Sequence, residues 1–417
     1  MSPIDASLSP NHPVPAISTP SARKLMASPL FTQWTDPVSG VTSFILGKKV
    51  APIQQSFYFV NPSLTLDGRY YWFYCAFPPT GNANQGRSLG VADLRENRIH
   101  HYPETGFTDA SPLVDTHTGE VYWCTGLEIW KRRPEPEATP EFVNRFPPKL
   151  ACGRRPWRLA THLTFSADRT ALNLDVEIGG EWYVGHAPLD GSEFVLWEKF
   201  DRCYNHAQYS PIEPDLQLIA QDGWVDQQTG KATGFDNRLW LIRQGKPARP
   251  LYPHPIPQAS YRCENGHIDE THETTDARAA QAHEWWDPTG QSVWYVHHGL
   301  GIERLTLGSD TPELLWPSPT LSHAHANAAG TRLVADNLPP DNPSSHKVLF
   351  YNIEARRELP IVSRLPQLPR HLQGYHLHCH PQFCLDDQLI CYTTMVRGEA
   401  DVAFTLVEDL EAMTAHP

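Results

Sequence analysis

The sequence predicts an all-β protein, a seven-bladed β-propeller forming a single domain with a flexible N-terminal tail. Three observations predict it. A unit of polar residue, strand, turn and aromatic or β-branched strand returns seven times along 417 residues. The 39 Pro and 26 Gly punctuate the chain every few residues, which suits short strands and not long helices. The two ends carry matching strands, GVTSFILGK (40–48) and VAFTLVED (402–409), whose pairing would close the ring and leave no open edge.

In chain order, residues 1–30 are rich in Pro, Ser and Ala and read as a mobile tail, leaving 31–417 for the propeller. The turns that mark the repeat are Asp67-Gly68, Thr118-Gly119, Asp168-Arg169, Pro214-Asp215, Thr289-Gly290, Ala329-Gly330 and Asp386-Asp387. Each is followed by a strand such as RYYWFYCAF, QSVWYVHH or QLICYTTM. RLWLIRQGK, GIERLTLG, HKVLFYNIE and DVAFTLVED read as third or fourth strands of blades. The units stand about 40 to 75 residues apart, the spacing of propeller blades with loop insertions. The longest insertion, 246–281, holds an acidic run from Glu270 to Asp276, read as a solvated loop. A second, 131–157, is basic at its ends and is expected to overhang the same face. The pair Trp285-Trp286 is assigned to the core.

Composition narrows the function. A formal net charge of −13 argues against nucleic acid, whose binding needs cations on phosphates. No run approaches the roughly 20 apolar residues of a membrane span. The eight cysteines form no CxxC pair, and the N-terminus lacks the basic start and apolar stretch of a secretory signal. The expected location is the cytoplasm, and the expected partner a small anionic molecule.

Chemistry is signalled by histidines in register. His162, His283, His323 and His380 each precede the end of a repeat turn by seven residues, and His206 fits the register with a short insertion. Asn61 holds the place in the first unit and Pro112, with Asp109 before it, in the second. Positions that recur at one point of a closed repeat meet at its axis. His378 and His380, at i and i+2, point the same way from one strand. Such a ring can hold a divalent ion and supply a base near neutral pH. A single histidine of this kind is usually a hydrogen-bonded channel residue, but five in one register point to a site. His100-His101 and His297-His298 fall outside the register and take no role.

The runs NHAQYSPIEPDLQLIAQDG, NRLWLIRQGKPARPL, AHEWWDPTGQSVWYV, SHAHANAAGTRLVAD and HLHCHPQF resemble, in order and spacing, the oligogalacturonate lyases. With FYFVNPSLTLDGRYYWFY they span most of residues 50–408. The resemblance implies a seven-bladed propeller that cleaves small pectin-derived uronates by β-elimination in the cytoplasm with a divalent metal, typically Mn²⁺. It places metal ligands at His283, His378 and His380 and the Brønsted base at His206. It departs at Tyr375, where the family has a metal-binding Gln. Gln373 is near in sequence.

The implied chemistry matches the residues. Elimination across C4–C5 of a uronate removes a proton beside a carboxylate, whose growing enolate charge a cation or an arginine stabilises. A neutral histidine takes the proton. Arg202 and Arg238 are the candidate carboxylate clamps, with Arg262 ranked below them. Tyr375 is a candidate ligand or acid, and His162, His323 and Asn61 are candidate substrate-binding residues. Two other readings stand beside this one: a lyase of the same fold acting on a rhamnosyl-glucuronate or other glucuronate linkage, and a non-catalytic TolB-like propeller used as a binding scaffold. A metal hydrolase would want bridging carboxylates, which the registered positions do not offer.

Overall fold

A computed structural model describes residues 21–108, 112–226, 228–234, 237–251, 281–337, 346–366 and 370–415, with backbone alone at 262–264, 267–269 and 370–371. Among the described residues, seven antiparallel blade sheets of three to five strands follow one another along the chain, with two further two-stranded ribbons. Blade one uses strands Ile53–Gln55, Tyr70–Ala76, Gln85–Asp93 and Arg98–Thr108, and blade two Leu113–Val114, Val121–Thr125, Glu128–Arg132 and Glu141–Arg145. Blade three contributes Ala171–Ile178, Glu181–Pro188 and Val195–Phe200, and blade four Tyr204–Tyr209, Leu216–Gln221, Leu239–Arg243 and Lys246–Pro250. Blade five runs from Gln281–Trp286 to Glu313–Pro317, and blade six from Leu321–Ala326 to Arg357–Val362.

Blade seven closes the ring. Its chain-terminal strands Gln382–Cys384, Leu389–Thr394 and Asp401–Leu406 are completed by Thr42–Leu46 and Phe31–Thr35. The seam pairs Ser43 with Thr405, Phe44 with Phe404 and Ile45 with Ala403, inside the two segments expected from the sequence. Beyond Leu406 the run expected as strand becomes helix Val407–Thr414, which buries Val407, Leu410 and Thr414.

The seven marked turns join the first and second segments of each blade. Leu64 bridges Tyr71 across Asp67-Gly68, and Phe165 bridges Leu172 across Asp168-Arg169. Trp286 pairs with Val293 across Thr289-Gly290. Gly68, Gly119, Gly290 and Gly330 have φ between 64° and 80°, so the sequence puts Gly where a side chain would be strained. The second strands are packed between neighbouring blades on both faces. Every residue of Tyr70–Ala76, Leu216–Gln221 and Leu389–Thr394 is buried, which is why these runs are mostly apolar or aromatic and carry no charged residue. Trp285 and Trp286 are core residues.

Two expectations are corrected. The tail was drawn to residue 30, but Ala22–Met26 is a helix, and Ala22, Met26 and Leu30 bury against Phe404 and Leu406. Three apolar side chains in ten residues suffice to dock that end; residues 1–20 lie outside the described residues. The insertion 131–157 does not overhang the axis. It forms the outer strand Glu141–Arg145 of blade two and the helical turn Pro148–Ala151, anchored by the buried Phe146 and Ala151. The acidic run Glu270 to Asp276 lies outside the described residues. Among the described residues no helix is long and apolar enough to cross a membrane.

Candidate functional site

Three of the axial histidines sit on β-bulges. In blade four the pairing slips between Asn205 and Gln208, in blade five between Ala282 and Trp285, and in blade six between Leu321 and Ala324. The slipped residues include His206, His283 and His323. A bulge bends its strand and re-aims a side chain, here from between the blades into the axis. His206 and His283 have φ of 54° and 53°, a left-handed conformation costly for a side chain with a Cβ. The fold holds them there with outside partners, such as the bond from the His206 backbone N–H to Thr161 Oγ1 at 3.2 Å.

Blade three builds the same turn differently. Its innermost segment, which carries His162, is tied to the second strand by side chains. Asp175 Oδ1 accepts the Thr161 N–H at 2.9 Å, Asn173 Oδ1 accepts the Thr164 N–H at 2.6 Å, and Asn173 Nδ2 donates to the His162 carbonyl at 2.8 Å. Blade six uses Asp336 as a keystone. Both its oxygens lie 3.1 Å from His323 Nδ1, and it accepts the backbone N–H groups of His323, Cys379 and His380.

The result is a cavity of about 310 Å³ lined by Tyr58, Arg87, Arg158, His162, His206, His283, His323, His376, His378 and His380, among others. Tyr58 stands amid the rings, stacked on His162 at 4.6 Å and 4.8 Å from His380. The expected residues divide. His162, His206, His283, His323, His378 and His380 come together here. Asn61 is fully buried away from the cavity wall, its Nδ2 donating to the Leu163 carbonyl at 3.0 Å. Arg202 is also outside, donating to the Gly234 carbonyl at 2.8 Å. Tyr375 packs into the blade-seven core, and its hydroxyl donates to the Thr80 carbonyl at 2.9 Å. Gln373 is exposed on the short helical turn that precedes the motif. The side chain of Arg262 lies outside the described residues, as does Asp109.

Arg238 stands one layer behind the cavity. Its Nη1 is 3.0 Å from Asp222 and its Nε is 3.8 Å from Glu284, whose other oxygen is 3.2 Å from His206 Nδ1. The last contact is an ion-pair contact rather than a well-aligned hydrogen bond. Burial acts to raise the Glu284 pKa, but Arg238 and His206 outweigh it and hold the carboxyl down at about 2. A buried carboxylate is thus fixed beside one nitrogen of His206. Glu284 follows His283 directly, so one bulge aims His283 at the axis and turns Glu284 toward His206.

Sequence reasoning also missed Arg87, Arg158 and His376. Arg158 leaves the inner segment of blade three, with Nη1 3.6 Å from Glu177, and Arg87 lies over the Tyr74 ring at 4.3 Å. Neither adjoins a registered histidine in sequence, so the repeat carried no signal for them. His376 did carry one, as the first member of an H-x-H-x-H run.

The donor chemistry fits a cation. One nitrogen from each of His323, His376, His378 and His380 can be chosen so that all lie within 4.8 Å of one another. Burial pushes His323 and His380 well below the usual histidine range and His378 down to about 3, so these rings are neutral, as ligands must be. His380 Nε2 and His378 Nδ1 are buried without a hydrogen-bond partner. His283 faces the same cavity outside this group, its ring 4.1 Å from that of His323 and its Nδ1 2.7 Å from the Ser322 carbonyl.

No family model and no curated protein matches this chain. Solved structures do. The chain is similar to an oligogalacturonate lyase from Vibrio parahaemolyticus, with a TM-score of 0.67 and 15% identity over 90% of this chain and 96% of that one. It is similar to an oligogalacturonate lyase in complex with manganese, with a TM-score of 0.66 and 17% identity over 91% and 97%. At these identities the likeness is one of fold.

Proposed function

We propose that this propeller is a lyase that cleaves a short uronic-acid-containing oligosaccharide by β-elimination, leaving a 4,5-unsaturated uronate. The observation that carries the reading is His206 backed by the buried Glu284 carboxylate, in one cavity with an imidazole cluster and two arginines. A scaffold that only binds a partner has no use for a buried carboxylate set behind an axial imidazole.

The substrate carboxylate is held by Arg158 and Arg87, whose forked guanidinium groups suit it. Glu284 favours a proton on Nδ1 of His206, which leaves Nε2 as the basic nitrogen. His206 Nε2 takes the C5 proton. The C5–H electron pair becomes the C4–C5 double bond, the C4–O bond breaks, and the departing glycosyl oxygen is protonated by water. The imidazoles around His378 and His380 would hold a divalent cation, which would supply positive charge to offset the carboxylate's enolate character. His162 lines the sugar's path, and Tyr58 gives it an aromatic wall. Tyr375, in the core, is left out of the chemistry.

The test is to incubate the protein with digalacturonate and, separately, with glucuronate-terminated oligosaccharides, and to follow the ultraviolet absorbance of the unsaturated uronate. A rise on either substrate supports the lyase and identifies the sugar. A rise that survives EDTA keeps the elimination and removes the cation from it. No rise on any uronate overturns the proposal.

A further inference from the structure

We infer that His323, His376, His378 and His380 form a four-imidazole cation centre in which His376, and not Tyr375, completes the ligand set. The centre selects a nitrogen-preferring ion of the cobalt, nickel or zinc kind over the oxygen-preferring manganese or magnesium. This deepens the cation arm of the proposed function and rests on it.

The backbone explains why His376 takes this part. Position 375 is lost to the site because its large aromatic ring is 3% exposed in the blade-seven core. The chain then turns left-handed, with φ of 51° at His376, and the His378 N–H bonds back to the His376 carbonyl at 2.9 Å. Gln55 Nε2 holds that same carbonyl at 3.2 Å. The turn brings the His376 ring to 3.8 Å from that of His378 and 5.8 Å from that of His380. A glutamine would reach the cluster with an amide oxygen; His376 reaches it with an imidazole nitrogen.

The remaining ligand is oriented from behind. Asp336 engages Nδ1 of His323 and so turns Nε2 toward the cluster, the carboxylate–histidine arrangement typical of metal sites. Asp336 also accepts the His323, Cys379 and His380 backbone N–H groups, so its oxygens are spent on positioning. The four ligand atoms are therefore all nitrogen, with no carboxylate in the set. Imidazole donors suit cobalt, nickel, copper and zinc, whereas manganese and magnesium favour carboxylate, carbonyl and water.

Chelator-stripped protein would be titrated with Co²⁺ and read by its visible d–d bands, with Zn²⁺ and Mn²⁺ affinities measured by competition against a chromophoric chelator. One equivalent of Co²⁺ should bind with imidazole-type spectra. His376→Ala should weaken Co²⁺ and Zn²⁺ at least about tenfold, since even residues behind a ligand cost 10–100-fold. Tyr375→Phe should leave both unchanged. His376→Gln should weaken Zn²⁺ more than Mn²⁺, narrowing the gap between them. Circular dichroism of each variant checks the fold. Unchanged affinity in His376→Ala, or lost affinity in Tyr375→Phe, overturns the ligand assignment. An unchanged ratio of Zn²⁺ to Mn²⁺ affinity in His376→Gln overturns the claim of ion selection. If no ion binds, the centre falls, while EDTA-resistant formation of unsaturated uronate would leave the elimination standing.

Discussion

At the scale of single residues, His206 is useful because of what stands behind it. An isolated axial imidazole could hold its proton on either nitrogen, and Glu284 biases the choice toward Nδ1. His206→Ala is expected to fold normally and lose turnover, checked by circular dichroism beside the uronate assay. Glu284→Gln keeps the shape but removes the charge. It should lower kcat by about 10²-fold or more, within the range assigned to positioned acid–base groups, with KM little changed. Arg158→Ala should do the reverse and act mainly through KM, because it binds the carboxylate in both ground and transition states. The sequence pointed to His206, which fits the register with a short insertion. It did not show the support: Arg238 was visible only as a clamp candidate, and its position behind Glu284 depends on two blades meeting.

Individual elements show how the register is converted into geometry. A regular strand would send alternate side chains into the two inter-blade layers, and none would reach the axis along its length. The bulges at His206, His283 and His323 break that alternation at one place per blade. Deleting Ala207 should remove the blade-four bulge, shift the strand by one residue and turn His206 into the inter-blade layer. The expected result is a folded propeller without lyase activity, read by circular dichroism and the uronate assay. The turns were legible because Gly and Asp mark positive φ locally. The bulges were not, because His206 and His283 adopt that conformation without Gly, under tertiary constraint. Insertion 131–157 misled for a similar reason, since its charged ends hid the buried anchors Phe146 and Ala151.

For the whole molecule, stability depends on ring closure and on keeping the buried imidazoles neutral and the Glu284 carboxylate ionised. Phe404 lies in the closing strand, fully buried, with its ring 5.4 Å from Phe31 and 4.7 Å from Tyr71. Phe404→Ala should cost about 3–5 kcal/mol, measured as a fall in the denaturant midpoint. Acid should act through the axis. Burial holds His162 far below its usual pKa, and Arg238 and His206 hold Glu284 down at about 2 despite burial. Both folded-state values are depressed, so their contributions are present above the unfolded pKa values and lost as pH falls. His162 begins to count below about 6.5 and Glu284 below about 4.3. Calorimetry at fixed ionic strength should therefore show Tm steady from pH 9 to 7 and falling as pH is lowered to 4. A Tm that rises on acidification would contradict the burial of neutral imidazoles.

By itself the sequence determined the repeat number, the positions of the turns, the closing seam and the identity of most axial histidines. These are properties of local pattern: periodic polarity, turn residues and matching terminal strands need only neighbours in the chain. Tertiary structure alone decided that Asn61, Arg202 and Tyr375 lie off the cavity, that Arg87 and Arg158 line it, and that Glu284, Arg238 and Asp336 stand behind the histidines. Those assignments depend on which side chains from different blades converge, and on bulges and left-handed residues that only the packed ring can hold in place.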